Sequence, residues 1–419
     1  MKILWLCNAQ FSSEGRSSSG TWLQPLAEMI NDTDGYTLSN VTIASVKALS
    51  TENVRGIKQY LLPSNVKKSF KIWYGEICNE IHNIVEEIKP DLVHIWGTEN
   101  VWGLVYKDGY ISAPAFLEMQ GMPSVSFAYY GGLTWKEKLQ CLCAPLSLYH
   151  FPKNTMWWGY RHYKGLGEKE KEIINAFDII SVQSSWVEEH VLHINPQVQI
   201  LHTQIILREQ FYNCEPWQWH ECGDSPIVFS TCSRNAPYKG LHVLLKAVGL
   251  LKKRYPNIRL NLAGKLTGSR GLFYASGYTR FLYKIIKEYN IEDNVHFLGA
   301  LTADQIIKHL QEANVSVIPS FIESYSLALA ESMMVGTPSV VSYAAAMPEF
   351  AKDNEQVLFY DSLDVISCAA RIENIFVHKD LSERLSLNSR LRKLKDCDKI
   401  ETLRIQLDNY DVISHMNHT

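Results

Sequence analysis

Short apolar runs alternate with segments of helical period along most of the chain. Ile3–Cys7 reads as a buried strand. Thr21–Ile30 predicts a helix, with Trp22, Leu26, Met29 and Ile30 on one face. Val41–Val46 predicts a strand, Phe70–Ile88 a long helix stopped at Lys89 and Pro90, and Asp91–Trp96 a buried strand closed by Gly97. Ser124–Tyr129 and Asp178–Val182 predict two more strands. The pattern breaks over Leu201–Pro226, which holds Cys214, Pro216, Trp217, Trp219, Gly223 and Asp224, and then restarts. Strands are predicted at Ile227–Thr231, Arg259–Ala263, Val295–Leu298, Val315–Ile318 and Ser339–Ser342. Helices are predicted between them at Leu241–Lys253, Tyr278–Tyr289, Ala303–Ala313 and Leu327–Val335. Such alternation implies parallel βαβ units.

The chain has 419 residues, more than the ~250–300 at which a single core stops growing. We therefore expect two doubly wound, Rossmann-like α/β domains, one at 1–207 on the side of a ligand that accepts a group and one at 226–395 that binds a phosphate-bearing donor, with a linker at 208–225 and a C-terminal helix at 396–419 packing back on the first domain. Two such sheets would face each other across a cleft. In open α/β sheets ligands bind outside the carboxyl ends of the strands, so the chemistry belongs on the loops that follow them.

Composition narrows the class. Lys plus Arg number 41 against 44 Asp plus Glu, a net charge of −3, which disfavours a nucleic-acid binder. An apolar content of 46% excludes intrinsic disorder. No run approaches the ~18 apolar residues of a membrane-spanning helix, and Met1–Cys7 is too short for a signal-peptide core. Nine scattered cysteines suit a reducing, cytoplasmic setting. Two Asp-x-Asp strings, Asp32/Asp34 and Asp396/Asp398, read as turn residues and solvated charges rather than metal ligands, since neither follows a buried strand. No metal is expected. His94 lies in a strand and reads either as a core histidine or as a functional one.

Two loops stand out. After Ile227–Thr231 come Arg234 and Lys239, then Gly240 and a helix. A guanidinium grips phosphate oxygens as a fork and an ammonium acts as a point charge. The helix N-terminus adds unpaired N–H groups and partial positive charge, so the loop suits a diphosphate. After Val315–Ile318 come Glu323, Ser324, Tyr325 and Ser326, then a helix from Leu327 that carries Glu331. Small residues let a ligand approach the backbone, and a carboxylate can hold paired sugar hydroxyls. Glu331 sits among Leu329, Ala330, Met333 and Met334, where a carboxylate needs a reason. Each loop alone also reads as solvated charge.

Taken together, Arg234, Lys239 and Gly240, the pair Glu323 and Glu331, and Gly336-Thr337-Pro338 resemble the retaining glycosyltransferases of family four, bacterial surface-polysaccharide type. The resemblance is fullest from Val228 to Glu349. It extends more weakly to Gly20 and Thr21, to Lys89–His94 and to Ala176–Ser181. It implies the GT-B fold, in which two Rossmann-like domains face across a cleft. It implies that Arg234 and Lys239 neutralise the leaving diphosphate, that Glu323 contacts the donor sugar, and that Glu331 holds the ribose. Backbone N–H groups around Ser324, Tyr325, Ser326 and Leu327 would hold the distal phosphate, Leu298 and Gly299 would border the base, and Gly20 and Thr21 would lie near the diphosphate. There are departures. Ser233 replaces a glycine, and Ala344-Ala345-Ala346 replaces a glycine pair. Alanine disfavours positive φ, so that loop is expected to take another path. No general base is assigned, and no cofactor or metal is required beyond the nucleoside diphosphate sugar itself.

From Thr134 to Lys171 aromatic residues, among them Trp135, Trp157, Trp158, Tyr160 and Tyr163, mingle with Lys136, Lys138, Arg161 and other cations. Trp and Tyr beside cations suit a membrane surface and a lipid-linked saccharide acceptor. On that reading Trp157, Trp158, Tyr160 and Arg161 mark the acceptor side, in contact with the inner face of the cytoplasmic membrane. The other reading is an insertion whose aromatics pack in the first domain's core. The expected function is transfer of a sugar from a nucleoside diphosphate sugar to a hydroxyl acceptor during capsular, exo- or lipopolysaccharide synthesis. The rival readings are another GT-B enzyme, such as a nucleotide-sugar epimerase, and a non-catalytic carbohydrate-binding subunit.

Overall fold

The computed structural model describes residues 1–12, 22–65, 68–142, 155–231, 236–264 and 276–416. The chain divides into two compact units. The first comprises Met1–Ser124, Leu166–Arg208 and Cys397–Thr419, and the second Val125–Gly165 and Glu209–Asp396.

Among the described residues the first unit holds strands Lys2–Leu6 (β1), Thr37–Ala44 (β2), Ser50–Val54 (β3), Ile57–Pro63 (β4), Leu92–Trp96 (β5), Ala115–Glu118 (β6), Ile179–Val182 (β7) and Gln199–His202 (β8). They form one sheet in the order β3-β4-β2-β1-β5-β6-β7-β8. All neighbours pair in parallel except β3 and β4, which form an antiparallel pair at the edge. β5 and β7 are buried at every position, the mark of strands covered on both faces. His94 belongs to that core. Its Nδ1 lies 2.9 Å from the Tyr410 hydroxyl, and burial pushes its pKa down. Tyr410, from the helix Lys399–Met416, also accepts a hydrogen bond from Trp5 Nε1 at 3.0 Å.

The second unit holds Ile227–Ser230 (β9), Arg259–Ala263 (β10), Val295–Gly299 (β11), Val315–Ile318 (β12), Ser339–Ser342 (β13) and Leu358–Tyr360 (β14). Their order is β11-β10-β9-β12-β13-β14, all parallel. The order reverses at β9, flanked by β10 on one side and β12 on the other. That reversal is the switch point at which such sheets open a ligand crevice.

Three differences from the sequence reading have local causes. Ser124–Tyr129 is not a strand: Ser126–Tyr130 forms a 3₁₀ turn closed by Gly131 at φ +56°. The place in the sheet is taken by β6, whose Phe116 and Leu117 are fully buried while Phe127 is 82% exposed. The described residues of 125–165, expected in the first domain, fold with the second unit. Gly277 takes part in that docking, since a Cβ there would come within 1.5 Å of the Cys141 carbonyl oxygen. The 208–225 segment, expected as the linker, has packed structure of its own. The helix Glu209–Tyr212 belongs to the second unit, and Trp217 donates from its ring to the Ala313 carbonyl at 2.7 Å. No helix among the described residues is long and apolar enough to cross a membrane.

Candidate functional site

The site is built at the carboxyl ends of β9 and β12. After β9, a 3₁₀ turn at Pro237–Lys239 leads through Gly240 into the helix Leu241–Leu251. Gly240 lies at φ +72°, and a Cβ there would come within 1.8 Å of the Pro319 carbonyl oxygen. Only glycine meets both demands. The bare backbone lets this turn lie against the loop that follows β12. The Phe321 N–H donates to the Tyr238 carbonyl at 2.7 Å and fixes the two loops together.

The second loop runs into the helix Leu327–Val335. Ser326 is its N-cap, and its hydroxyl accepts from the Leu329 N–H at 3.3 Å. The N–H groups of Leu327 and Ala328 have no partner in the helix ladder, as at any helix start. The helix is held on the sheet by the Ser316 and Ser332 hydroxyls, 2.8 Å apart, and ends at Gly336 with φ +84°. Residues Leu329 to Val335 are all buried, Glu331 among them at 9% exposure.

With both loops in place, Lys239 Nζ stands 2.7 Å from Glu323 Oε1. Both side chains are mostly shielded, at 20% and 14% exposure. They border a cavity of about 240 Å³ that is also lined by Ser230, Thr231, Ser320, Tyr325, Ser326 and Leu327. The cavity thus combines a cation, a carboxylate, small hydroxyl side chains and a helix N-terminus. An anion attached to a polyhydroxyl group meets matching chemistry in such a place.

The structure brings together Lys239, Glu323, Tyr325, Ser326 and Leu327 of the residues expected from sequence. Ser324 lies within the same loop but outside the lining, and Glu331 lies one helical turn beyond Leu327. Leu298 and Gly299 end β11, two strands from β9, where Gly299 at φ +77° accepts from the Gly264 N–H at 2.6 Å. Arg234, Gly20 and Thr21 lie outside the described residues. Ser230, Thr231 and Ser320 were missed. Their signal was present, since small hydroxyl residues sit where β9 and β12 end. Ala345 itself takes φ +49°, and the next N–H, of Ala346, donates to the Glu323 carbonyl at 3.2 Å.

The aromatic segment divides. In the helix Met156–Ile174, Trp157 is 49% exposed with the Arg161 guanidinium 4.8 Å from its ring centre. Trp158 stacks on His162. Tyr160 and Tyr163 instead join Tyr129, Tyr130 and Tyr238 in one cluster of rings within the second unit. Burial pushes the Tyr129 hydroxyl up to about 12, aided by Tyr238 and Tyr130. Tyr238 immediately precedes Lys239, so this cluster backs the turn that carries the cation. The segment 143–154 lies outside the described residues.

Residues 218–392 match the family described as Glycosyl transferases group 1. The chain is 31% identical over 169 residues to the MMP alpha-(1->4)-mannosyltransferase of Mycolicibacterium hassiacum, covering 40% of this chain and 38% of that protein. It is 29% identical over 163 residues to the uncharacterized glycosyltransferase YqgM of Bacillus subtilis, covering 39% of this chain and 42% of that one. The chain therefore spans less than half the length of either relative. Among solved structures it superimposes on a sucrose-phosphate synthase from Thermosynechococcus elongatus with a TM-score of 0.74 at 16% identity, covering 98% of both chains. Anabaena HepE, solved in complex with UDP-glucose, gives a TM-score of 0.66 at 14% identity over 98% of this chain and 100% of that one. The fold is the GT-B plan of two Rossmann-like units.

Proposed function

We propose that the protein is a retaining glycosyltransferase that moves a sugar from a nucleoside diphosphate sugar to a hydroxyl acceptor. The observation that carries this reading is the Lys239–Glu323 pair in a cavity at a helix N-terminus. The family match over 218–392 supports it. Lys239 and Arg234 stabilise the negative charge that grows on the diphosphate as the bond to the sugar breaks. Fixed cations favour that transition state over the ground state. The N–H groups at the start of the helix Leu327–Val335 hold the distal phosphate. Glu323 accepts hydroxyl hydrogens of the donor sugar, Glu331 holds the ribose, Leu298 and Gly299 border the base, and Gly20 and Thr21 approach the diphosphate.

In the proposed step the acceptor oxygen bonds to the sugar carbon on the face that the diphosphate leaves. The acceptor proton passes to the departing diphosphate oxygen. Lys239, Arg234 and the helix N-terminus meet the phosphate charge, so the reaction as proposed needs no metal. We place the enzyme in the cytoplasm, in surface-polysaccharide synthesis, with a saccharide or lipid-linked saccharide as acceptor. Trp157, Trp158, Tyr160 and Arg161 then mark an acceptor or membrane-contacting face. The exposed Trp157 and its guanidinium partner suit a headgroup layer.

A panel of nucleotide sugars assayed for nucleotide release, with UDP and GDP as thermal stabilisers, tests the reading. Stabilisation by neither nucleotide overturns it. Wild-type rates in both Arg234→Ala and Glu323→Ala overturn the site. Liposome flotation of Trp157→Ser/Trp158→Ser against wild type tests the membrane contact, which falls if wild type does not float or if both float alike.

A further inference from the structure

A second cavity, of about 640 Å³, opens in the second unit beside the first. The two share one loop: Ser320 and Glu323 line the smaller cavity, and Phe321 lines the larger. The larger one carries apolar side chains left open to solvent. Phe127 is 82% exposed, Tyr343 63% and Leu363 64%. Tyr343 and Phe321 are held by neighbouring rings. The Tyr343 ring meets Phe359 edge-on at 5.4 Å. The Phe321 ring is backed by the parallel ring of His242 at 5.9 Å. Gly132, at φ +70°, passes between Leu363 and Phe321, and a Cβ there would come within 2.2 Å of the one and 2.9 Å of the other. Polar groups stand beside the rings, chiefly Asp361, Ser367 and Arg371.

We propose that this groove binds the saccharide portion of the acceptor. The proposal rests on the transferase reading above. A sugar ring has an apolar C–H face and a rim of hydroxyls. It needs exposed rings to lie on and nearby carboxylate, hydroxyl and guanidinium groups to bond with, and the groove offers both. An acyl chain would desolvate Asp361, which accepts from the Leu363 N–H at 2.9 Å, and Arg371, which donates to Asn354 Oδ1 at 3.3 Å and lies 3.8 Å from Asp353, and would return no hydrogen bond to either. A nucleotide would bring its phosphates against Asp361. The cavity size lies within the ordinary range for small-ligand sites. Its shared wall with the donor cavity places a bound glycan next to the loop that carries Glu323. Contiguous exposed apolar side chains rimmed by polar groups mark ligand-binding grooves.

The test uses the full chain and the variants Phe127→Ala and Tyr343→Ala, whose exposed side chains are removed without opening the core. The probe is a panel of short oligosaccharides of hexoses, N-acetylhexosamines and uronic acids, read by titration calorimetry. UDP and GDP thermal shifts are measured in parallel. We expect wild type to bind at least one oligosaccharide and each variant to bind it at least tenfold more weakly, with nucleotide stabilisation unchanged. Equal binding by variants and wild type overturns the proposal, as does a wild type that binds no oligosaccharide. Loss of binding to lipid vesicles in the variants, with oligosaccharide binding intact, assigns the groove to lipid and also overturns it. If no nucleotide stabilises the protein but oligosaccharide binding still falls in the variants, the groove stands and the transferase reading falls.

Discussion

Lys239 Nζ lies 2.7 Å from Glu323 Oε1, although 84 positions separate the two residues. Each belongs to a loop leaving a different strand of one sheet, and the bare backbone of Gly240 brings the loops together. The pair sets a cation and a carboxylate side by side in the lining of one cavity.

The strength of that contact can be measured. The side chains are largely shielded but not fully buried, so the pair falls between exposed and buried ion pairs. A double-mutant cycle of Lys239→Met and Glu323→Gln, read by urea unfolding, should give a coupling of about 1–2 kcal/mol. Lys239→Met should also lower nucleotide release by about a hundredfold or more, as the loss of one fixed charge-stabilising group does elsewhere. Zero coupling would mean that the contact holds neither group.

Gly240→Ala should be among the most damaging single changes in the second unit. The added methyl meets the Pro319 carbonyl at 1.8 Å, and the residue is held at φ +72°. Strain and displacement together should cost at least about 2 kcal/mol in urea unfolding. Nucleotide binding should fall with it. A variant as stable as wild type would show that the two loops need not touch.

Glu170 makes the first unit less stable as pH rises toward neutrality. It is fully buried, accepting from the Thr98 hydroxyl at 2.5 Å and the Ser124 N–H at 2.8 Å. Burial raises its pKa from 4.5 to about 7, against the lowering effect of those hydrogen bonds. Between these two values the native state keeps a proton that the unfolded chain has lost. Stability therefore falls as pH rises from about 4.5 to about 7, by up to about 3 kcal/mol. Glu170→Gln should remove that slope and be the more stable protein at pH 8, as measured by denaturant midpoints across pH. The same slope in both proteins would sink this assignment.

His242 acts in the opposite sense in the second unit. It is buried, with Nδ1 2.9 Å from the Tyr278 hydroxyl. Burial, and then the nearby Lys246 charge, lowers its pKa from 6.5 to about 4. The unfolded chain takes up a proton below pH 6.5 that the native state refuses. Stability is complete above that value and is lost as pH falls toward about 4, by up to about 3 kcal/mol. His242→Gln should flatten this acid limb, and fluorescence-detected unfolding from pH 4 to 7 would show whether it does.

Much of the plan was legible in the chain. Strands such as Leu92–Trp96 and Val315–Ile318 read as unbroken apolar runs because a parallel sheet buries both their faces. Residues that follow such strands, Lys239 and Glu323 among them, could be read as site residues because the ends of parallel strands converge on one edge. The N-cap Ser326 and the turn glycine Gly240 follow local backbone rules, which sequence carries directly.

What the tertiary structure alone decided is non-local. Glu170 sits in a run of alternating Glu and Lys that reads as a solvated helix face, yet it is fully buried. Ser126–Tyr130 has the apolar look of a strand, yet β6 takes that place in the sheet and the described residues of 125–165 pack with the second unit. Tyr410 closes over His94 from 316 residues away. Periodicity reports which side of its own element a residue lies on. It carries no record of which distant element covers that side, because that is set only when the whole chain competes for one packed arrangement.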